Sequence, residues 1–380
     1  MGQDPLSNIT ILGAGFGALT TLRQLRRRGV QAEITVIAPR DELHYLPSAI
    51  WIPSGLRKPD DLRIPLAHLF AAQRAQFIQA SVTGLADGGR TVRTDKGEFR
   101  NDQLVIATGG RFIRKLAGIE FALVPCEGIA VTEEMGQRLQ ALQGGTIAVG
   151  FATNPNEQSA MRGGPMFEFL FGIDALLRQQ GRRSQFQIVF FSPAARPGAR
   201  LGEKAVDGLL AEMARREIRT HLGHKILSFD ERKVFTEGGE IDADLILFMP
   251  GLTGPAWLEG SGLPLSPGGM IAADAKCRVH GVPGVWVIGD CGSYPGPDWL
   301  AKQAHQADLQ AKAAAANIAA AMAGREPSVN FRPELICIID TLKDGILVYR
   351  SKRLSFVTPK IRLFHWMKRF FEIYYLREFS

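Results

Sequence analysis

An α/β fold is predicted by three features of this 380-residue chain. Apolar strands at Ile9–Gly15 (ITILGAG) and Thr146–Gly150 (TIAVG) each run into glycine ahead of a helical stretch. Strand-like and helix-like segments alternate between and beyond these two starts, as strand–helix–strand units require. The last 20 residues are basic, rich in aromatics and amphipathic at helical spacing. Together these predict two Rossmann-like domains plus a C-terminal membrane-associated region.

In chain order, the first strand Ile9–Gly15 leads into a helix from Phe16 to Arg28, closed by Gly29 at its C′ position. AEITVIAP (Ala32–Pro39) is the next strand. Pro47, Pro53, Pro59 and Pro65 then break the pattern before LVIATGG (Leu104–Gly110). The second unit starts at Thr146, its helix opening at Pro165 and ending before Gly181; Gln185–Pro193 is its returning strand. Asp242–Gly251 and Val285–Asp290 are later strands, followed by an alanine-rich helix from about Trp299 to Met322. Two short strands flank the Lys343-Asp344-Gly345 turn, and the amphipathic tail ends the chain. The expected organisation is 1–110 and 256–325 as one discontinuous domain, 111–255 as a second, and 326–380 as the terminal region.

Composition narrows the classes. With 46% hydrophobic and 22% charged residues the chain is globular, and mean hydropathy is −0.01. No apolar run approaches the roughly 18 residues of a membrane span, and MGQDPLSN lacks a secretory pattern. Cys126, Cys277, Cys291 and Cys337 are scattered without a CxxC pair, which argues against a metal site and a disulfide framework. The net charge of +7 is concentrated at the end: residues 351–380 hold seven Lys or Arg against two Glu.

Gly13-Ala14-Gly15-Phe16-Gly17-Ala18 fits G-x-G-x-x-G/A between a strand and a helix. The first glycine permits the tight turn, the second lets backbone approach a pyrophosphate, and the small last residue allows close packing. Free N–H groups at the helix start would meet the phosphate charge. The acidic residue expected at the end of the second strand is Ala38, leaving Asp41, Glu42 or backbone alone for the ribose. After Gly150 the second unit departs from this pattern. Phe151-Ala152-Thr153-Asn154-Pro155 lacks the later glycines, and proline offers no N–H.

Ala107-Thr108-Gly109 and Gly289-Asp290 each close a buried strand. With the Gly13–Ala18 fingerprint they resemble the flavoproteins that have two dinucleotide-binding domains. The longer segments ITVIAPRDELHYLPS, GGPMFEF, GDCGSYPGPDWLAKQAHQADLQA and HWMKRFFEIYYL resemble sulfide:quinone oxidoreductases over nearly the whole chain. Type II NADH dehydrogenases share the framework but keep a glycine-rich second fingerprint.

The resemblance implies bound FAD, held by Gly13, Ala14, Gly15, Phe16, Gly17, Ala107, Thr108, Gly109, Gly289, Asp290 and Lys302. It also implies quinone as acceptor and a small sulfur donor. In that family a cysteine near the GP-aromatic-EF segment works with a C-terminal cysteine beside the flavin. Cys337 matches the second; Arg162 or Ala160 stands in place of the first, and the nearest further thiol is Cys126. Cys337 is therefore the expected nucleophile, against a bland alternative as a small buried hydrophobe. Lys302, placed in the first turn of the alanine-rich helix, is either a charge stabilising reduced flavin or a solvated surface lysine. Arg162 either pairs with a carboxylate or attracts an anionic donor. His305 is an exposed helix residue or a proton relay for quinone, Cys277 is structural, and Cys291 packs near the flavin.

On the tail, Leu363, Trp366, Met367, Phe370, Phe371 and Tyr374 share one helical face, and Arg362, His365, Arg369 and Glu372 the other. Seven of the 32 aromatic residues lie in the last 20 positions. Such a helix lies in a lipid headgroup layer, or else packs on its own protein or a second copy, which leaves a homo-oligomer open. Nucleic acid is not an expected partner, because the basic–aromatic pattern does not recur. The sequence thus predicts a monotopic flavoenzyme on the cytoplasmic membrane, freed by deleting Ile361–Ser380. The alternatives are an NAD(P)H:quinone oxidoreductase and a flavin redox sensor without turnover.

Overall fold

The computed structural model describes residues 7–379. Its first sheet is parallel, in the order Val285–Val287, Gln103–Ile106, Asn8–Leu12, Glu33–Ala38, Ala75–Gln79. Ile9, Ile11 and Leu12 are fully buried, and Thr10 between them is only 1% exposed, so the central strand has no exposed side. A parallel strand covered by helices on both faces needs this continuous apolar run. The strand Val285–Val287 re-enters the sheet beside Gln103–Ile106 after the chain has built a second sheet elsewhere.

The fingerprint helix Phe16–Arg27 carries the turn from strand to core, burying Gly17, Ala18, Leu19, Leu22 and Leu25. Gly29 follows it with φ of +73°, a left-handed stop that favours glycine. Against it lies the alanine-rich helix Ala304–Met322, whose buried Ala307, Ala311, Ala314 and Ala315 allow close approach. Thr20 on the first helix donates 2.6 Å to Asp308 on the second. This second helix starts at Ala304, five residues later than expected. Before it, Lys302 bonds the Gly292 carbonyl and Gln303 donates 3.2 Å to the Glu334 carbonyl, so tertiary partners override helix propensity. Lys302 therefore precedes the helix rather than lying in its first turn.

The second sheet is also parallel, ordered Arg219–Leu222, Phe186–Ser192, Gly145–Phe151, Leu245–Met249. Its helix runs Gly163–Gln179 and buries Met166, Phe167, Phe169, Leu170, Phe171 and Leu177. Phe151, Phe167 and Phe190 pack ring to ring, with centroids 5.5–5.9 Å apart. Pro165 is inside the first turn rather than at its start, where its missing N–H has no intrahelical acceptor anyway.

The terminal region is a three-stranded antiparallel sheet, Glu334–Asp340, Gly345–Ser351 and Ser355–Val357, where only two short strands were expected. The first two are seven residues each, and Cys337 is paired opposite Val348. The terminal helix Arg362–Arg377 has 16 residues, and no described helix is long and apolar enough to cross a membrane.

That helix packs in the opposite sense to an ordinary surface helix. Trp366, Phe370, Phe371 and Tyr374 are 52–72% exposed, whereas Phe364, His365, Glu372 and Tyr375 are buried. His365 and Glu372, expected on the polar face, hold the helix to the protein. His365 Nδ1 is 2.7 Å from Asp340, and Arg57 pairs with Glu372. Because the two halves of the fold put acids and bases under it, the polar stripe turns inward and the aromatic stripe outward.

Candidate active site

The sequence-predicted site residues converge on one cleft of about 1840 Å³ between the two parallel sheets and the terminal region. Gly13 makes the tight turn with φ of +106°, and a Cβ there would lie 2.4 Å from the Ala107 carbonyl oxygen. Gly17 approaches Ile288 so closely that a Cβ would sit 2.6 Å from its Cγ2. A Cβ on Gly15 would meet no atom within 4 Å, because that position faces the open cleft. The small residues thus do three separate jobs: turn, backbone access and helix packing.

The same wall supplies polar groups suited to a dinucleotide. The Thr108 hydroxyl is buried without a hydrogen-bond partner, an unusual state for a buried donor. The first N–H groups of the fingerprint helix also have no intrahelical acceptor. Of the two acidic candidates for the ribose, Glu42 lines the cleft and Asp41 does not. Glu42 itself is 2.6 Å from His44.

Lys302 is not a solvated surface lysine. It bonds the Gly292 carbonyl, lies 5.8 Å from the Tyr294 ring centre and lines the cleft. Burial lowers its pKa, against the opposing pull of Asp290 and Glu157. Arg162 pairs with Asp290, joining the two halves of the cleft. Burial works against its charge, yet Asp290 and Cys126 hold its pKa above the usual guanidinium value.

Cys337 is half-buried, and its Sγ would lie 3.4 Å from a Cβ on Gly164, in the first turn of the Gly163–Gln179 helix. Burial pushes its pKa up to about 12, with Glu168 adding to the rise and Lys368 opposing it. The positive end of the helix also favours thiolate. Cys126 lines the same cleft and is raised to about 12 by burial, with Arg162 opposing. Cys277 and Cys291 are fully buried, Cys291 directly beneath the Thr108, Gly109 and Asp290 wall of the cleft, and all four cysteines are free. His305 is 2.7 Å from Glu334, which also accepts from Tyr349 at 2.8 Å, so its ring is not unpartnered.

Two residues of the site were not singled out from sequence. Glu168, inside the phenylalanine run of GGPMFEF, is buried beside both cleft thiols, and Lys368 of the terminal helix bonds it. Its carboxylate also accepts 2.9 Å from the Asp340 N–H. Burial raises the Glu168 pKa to about 7, despite the Lys368 charge. The signal was available: an acid embedded in a buried apolar helix requires a partner or a task.

The second unit's fingerprint position is closed. A Cβ on Gly150 would meet the Phe191 carbonyl oxygen at 2.5 Å, so this glycine serves strand packing. The loop that follows is stitched to the return of the first unit. Buried Asn154 donates to the carbonyls of Leu252 and Gly268 at 2.8 and 3.0 Å. Glu157 accepts from Ser266 at 2.6 Å and Ser293 at 3.1 Å. At the helix start, a Cβ on Gly163 would meet the Phe151 ring at 2.9 Å, leaving little room over that turn.

Two parallel sheets, a glycine fingerprint and a shared cleft define the pyridine nucleotide-disulphide oxidoreductases, and the profile of that family matches residues 7–314. The chain belongs to this family, and FAD is its cofactor. A sulfide-quinone reductase of Aquifex aeolicus (strain VF5) is 24% identical, over 97% of this chain and 90% of that protein. A type II NADH:quinone oxidoreductase of Staphylococcus aureus (strain NCTC 8325 / PS 47) is also 24% identical, over 77% of this chain and 76% of that protein. Among solved structures, the sulfide:quinone oxidoreductase of Aquifex aeolicus superposes with a TM-score of 0.89 at 22% identity, covering 98% and 91% of the two chains. Putidaredoxin reductase in its covalent complex with putidaredoxin superposes at 0.71 and 18% identity, covering 92% and 82%.

Proposed function

We propose that this protein passes two electrons from a small sulfur donor through FAD to a quinone held in a membrane. FAD supplies the two-electron relay; Gly13–Gly17, Ala107–Gly109, Gly289 and Asp290 would hold it, with Lys302 beside them as a charge near its ring system. The observation that carries the proposal is the terminal helix. It turns Trp366, Phe370 and Tyr374 outward while its Met367, Lys368 and Phe371 line the cleft. One element therefore offers an aromatic face to lipid and one wall of an apolar passage, with Ile336, Ile338 and Leu347 opposite. An apolar quinone would reach the cleft along that wall without crossing water. The relatives named sulfide-quinone and NADH:quinone reductases support the acceptor, and the closed second fingerprint favours a donor other than a nicotinamide.

On the donor side, Cys337 is the nucleophile and Glu168 the group that takes its proton; an S–S bond formed between Cys337 and the donor sulfur would release two electrons to bound FAD. Glu168 then carries protons toward the quinone, because its carboxyl exchanges them near neutrality while Lys368 fixes its position. Arg162 keeps Asp290 oriented and places a positive charge beside the donor.

The pH dependence tests this arrangement. Flavin in donor-reduced protein should be reoxidised by quinone in vesicles, with the rate falling as pH rises through about 7, where Glu168 loses its proton. Each further pH unit should slow it by up to about tenfold, the loss of the protonated fraction. Glu168→Gln should be slow throughout and lack this transition. A rate that stays flat across the range in the unaltered protein would remove Glu168 from the proton path, and failure of any quinone to reoxidise the flavin would remove the acceptor.

A further inference from the structure

Arg200 is a cation without an assigned task. It lies in the short turn Ala199–Leu201 of the second unit and lines the cleft. A guanidinium has five N–H donors. Arg200 uses one of its donor nitrogens, in a hydrogen bond to the Gln158 carbonyl, and has no acidic partner among the described residues. The turn is a built feature. Arg350 donates 2.7 Å to the Arg200 carbonyl while stacking over the Trp299 ring at 5.4 Å. Gly198 opens the turn with φ of +86°, and a Cβ there would be 3.1 Å from the Phe167 ring, which places the turn on the second-unit helix.

The surrounding acids are already engaged. Asp290 is paired with Arg162, and Glu157 is held by Ser159, Ser266 and Ser293. Burial lowers the Lys302 pKa and the nearby Arg200 charge lowers it further, while burial alone draws the Arg200 pKa down to about 10. Two half-buried cations thus line one cavity, and among the described residues no carboxylate pairs with Arg200. Sulfide alone, a small species that is only partly charged at neutral pH, would not need such a pair. The phosphates of FAD have their own cradle at Gly13–Gly17, on the other sheet.

We propose that Arg200 and Lys302 form a recognition site for the donor's anionic group, so that the donor is a sulfur compound carrying a permanent negative charge. This rests on the sulfur-donor function proposed above. Two sources share that chemistry: an inorganic sulfur oxyanion, and an organic thiol or persulfide bearing a carboxylate. Either would place its charge at Arg200 and its sulfur toward Cys337. Arg's planar fork suits both, since it binds two oxygens at once.

Calorimetric titration of the FAD-loaded protein with thiosulfate and with glutathione tests the site by binding, independently of turnover. At least one of the two should bind, more weakly as salt is raised. Arg200→Gln should weaken it more than tenfold, and Arg200→Lys should retain most of it. Arg196→Gln, on the same loop but exposed and paired with Asp207, should bind as the unaltered protein does. Tighter thiosulfate would assign the oxyanion, and tighter glutathione the carboxylate. No binding of either probe, or equal affinity with and without Arg200, would overturn the proposal. So would loss of FAD from Arg200→Gln, which would assign the cation to the cofactor. If NADH proved to be the electron donor, the function above would fail while these affinities would still decide the anion site.

Discussion

Replacing Trp366, Phe370, Phe371 and Tyr374 together by serine is expected to lower partition into anionic lipid vesicles by more than about a hundredfold while leaving bound FAD intact. Each large apolar side chain contributes roughly 1.5–3 kcal/mol when fully buried. Even half-insertion of four leaves several kcal/mol, and each ~1.4 kcal/mol is tenfold in partition. The four are 52–72% exposed and make no hydrogen bond that the fold needs, so the substitution removes the outward aromatic stripe, with Phe371 also taken from the cleft wall. Deleting Ile361–Ser380 would be a poorer experiment. It would also strip Lys368 from Glu168, His365 from Asp340 and Glu372 from Arg57, leaving buried charges unpaired. Flotation of the serine variant with vesicles measures the effect, and undiminished flotation would mean that the exposed stripe faces something other than lipid.

Gly13→Val is expected to give colourless protein. Its φ of +106° is closed to a β-branched residue, and the new Cβ would press on the Ala107 backbone, which cannot swing aside as a side chain can. The turn would have to open, moving the fingerprint helix away from the phosphates. Gly15→Val should lose FAD for a different reason, since its side chain would fill the cleft without straining the fold. The pair is therefore informative: thermal unfolding without cofactor should fall for Gly13→Val and change little for Gly15→Val. Absorbance of the purified proteins gives FAD content directly. FAD retained at full occupancy by both would contradict this location of the cradle.

The parts of this site that local spacing encodes were legible in the sequence. The turn at Gly13 and the strand ends at Thr108 and Asp290 are short-range patterns, and the structure brings them to one cleft. The tail's aromatic stripe was equally plain, but which stripe faces the protein depends on Arg57, Glu168 and Asp340, which lie far away in the chain. Lys302 was placed on a helix because alanine-rich sequence propagates helix, whereas the Gly292 carbonyl holds it before the helix begins. Glu168 went unnoticed among phenylalanines for the same reason: its partner is 200 residues distant. Arg200 has no pattern at all, and only the lack of an acidic partner among the described residues marks it.

The donor is the point on which the account turns. Anaerobic stopped-flow mixing of oxidised protein with sulfide, thiosulfate or glutathione, and separately with NADH, follows the flavin absorbance directly. At least one of the three sulfur compounds should bleach it in a saturable way, Cys337→Ser should abolish that bleaching while keeping its FAD, and NADH should bleach it slowly or not at all. The hydroxyl of serine is a far weaker nucleophile than a thiol toward sulfur or flavin, and the loop at Asn154–Arg162, tied down through Asn154, lacks the glycine-rich turn that a second dinucleotide needs. Rapid, saturable bleaching by micromolar NADH, with Cys337→Ser unimpaired, would contradict the account and make the protein an NADH:quinone oxidoreductase.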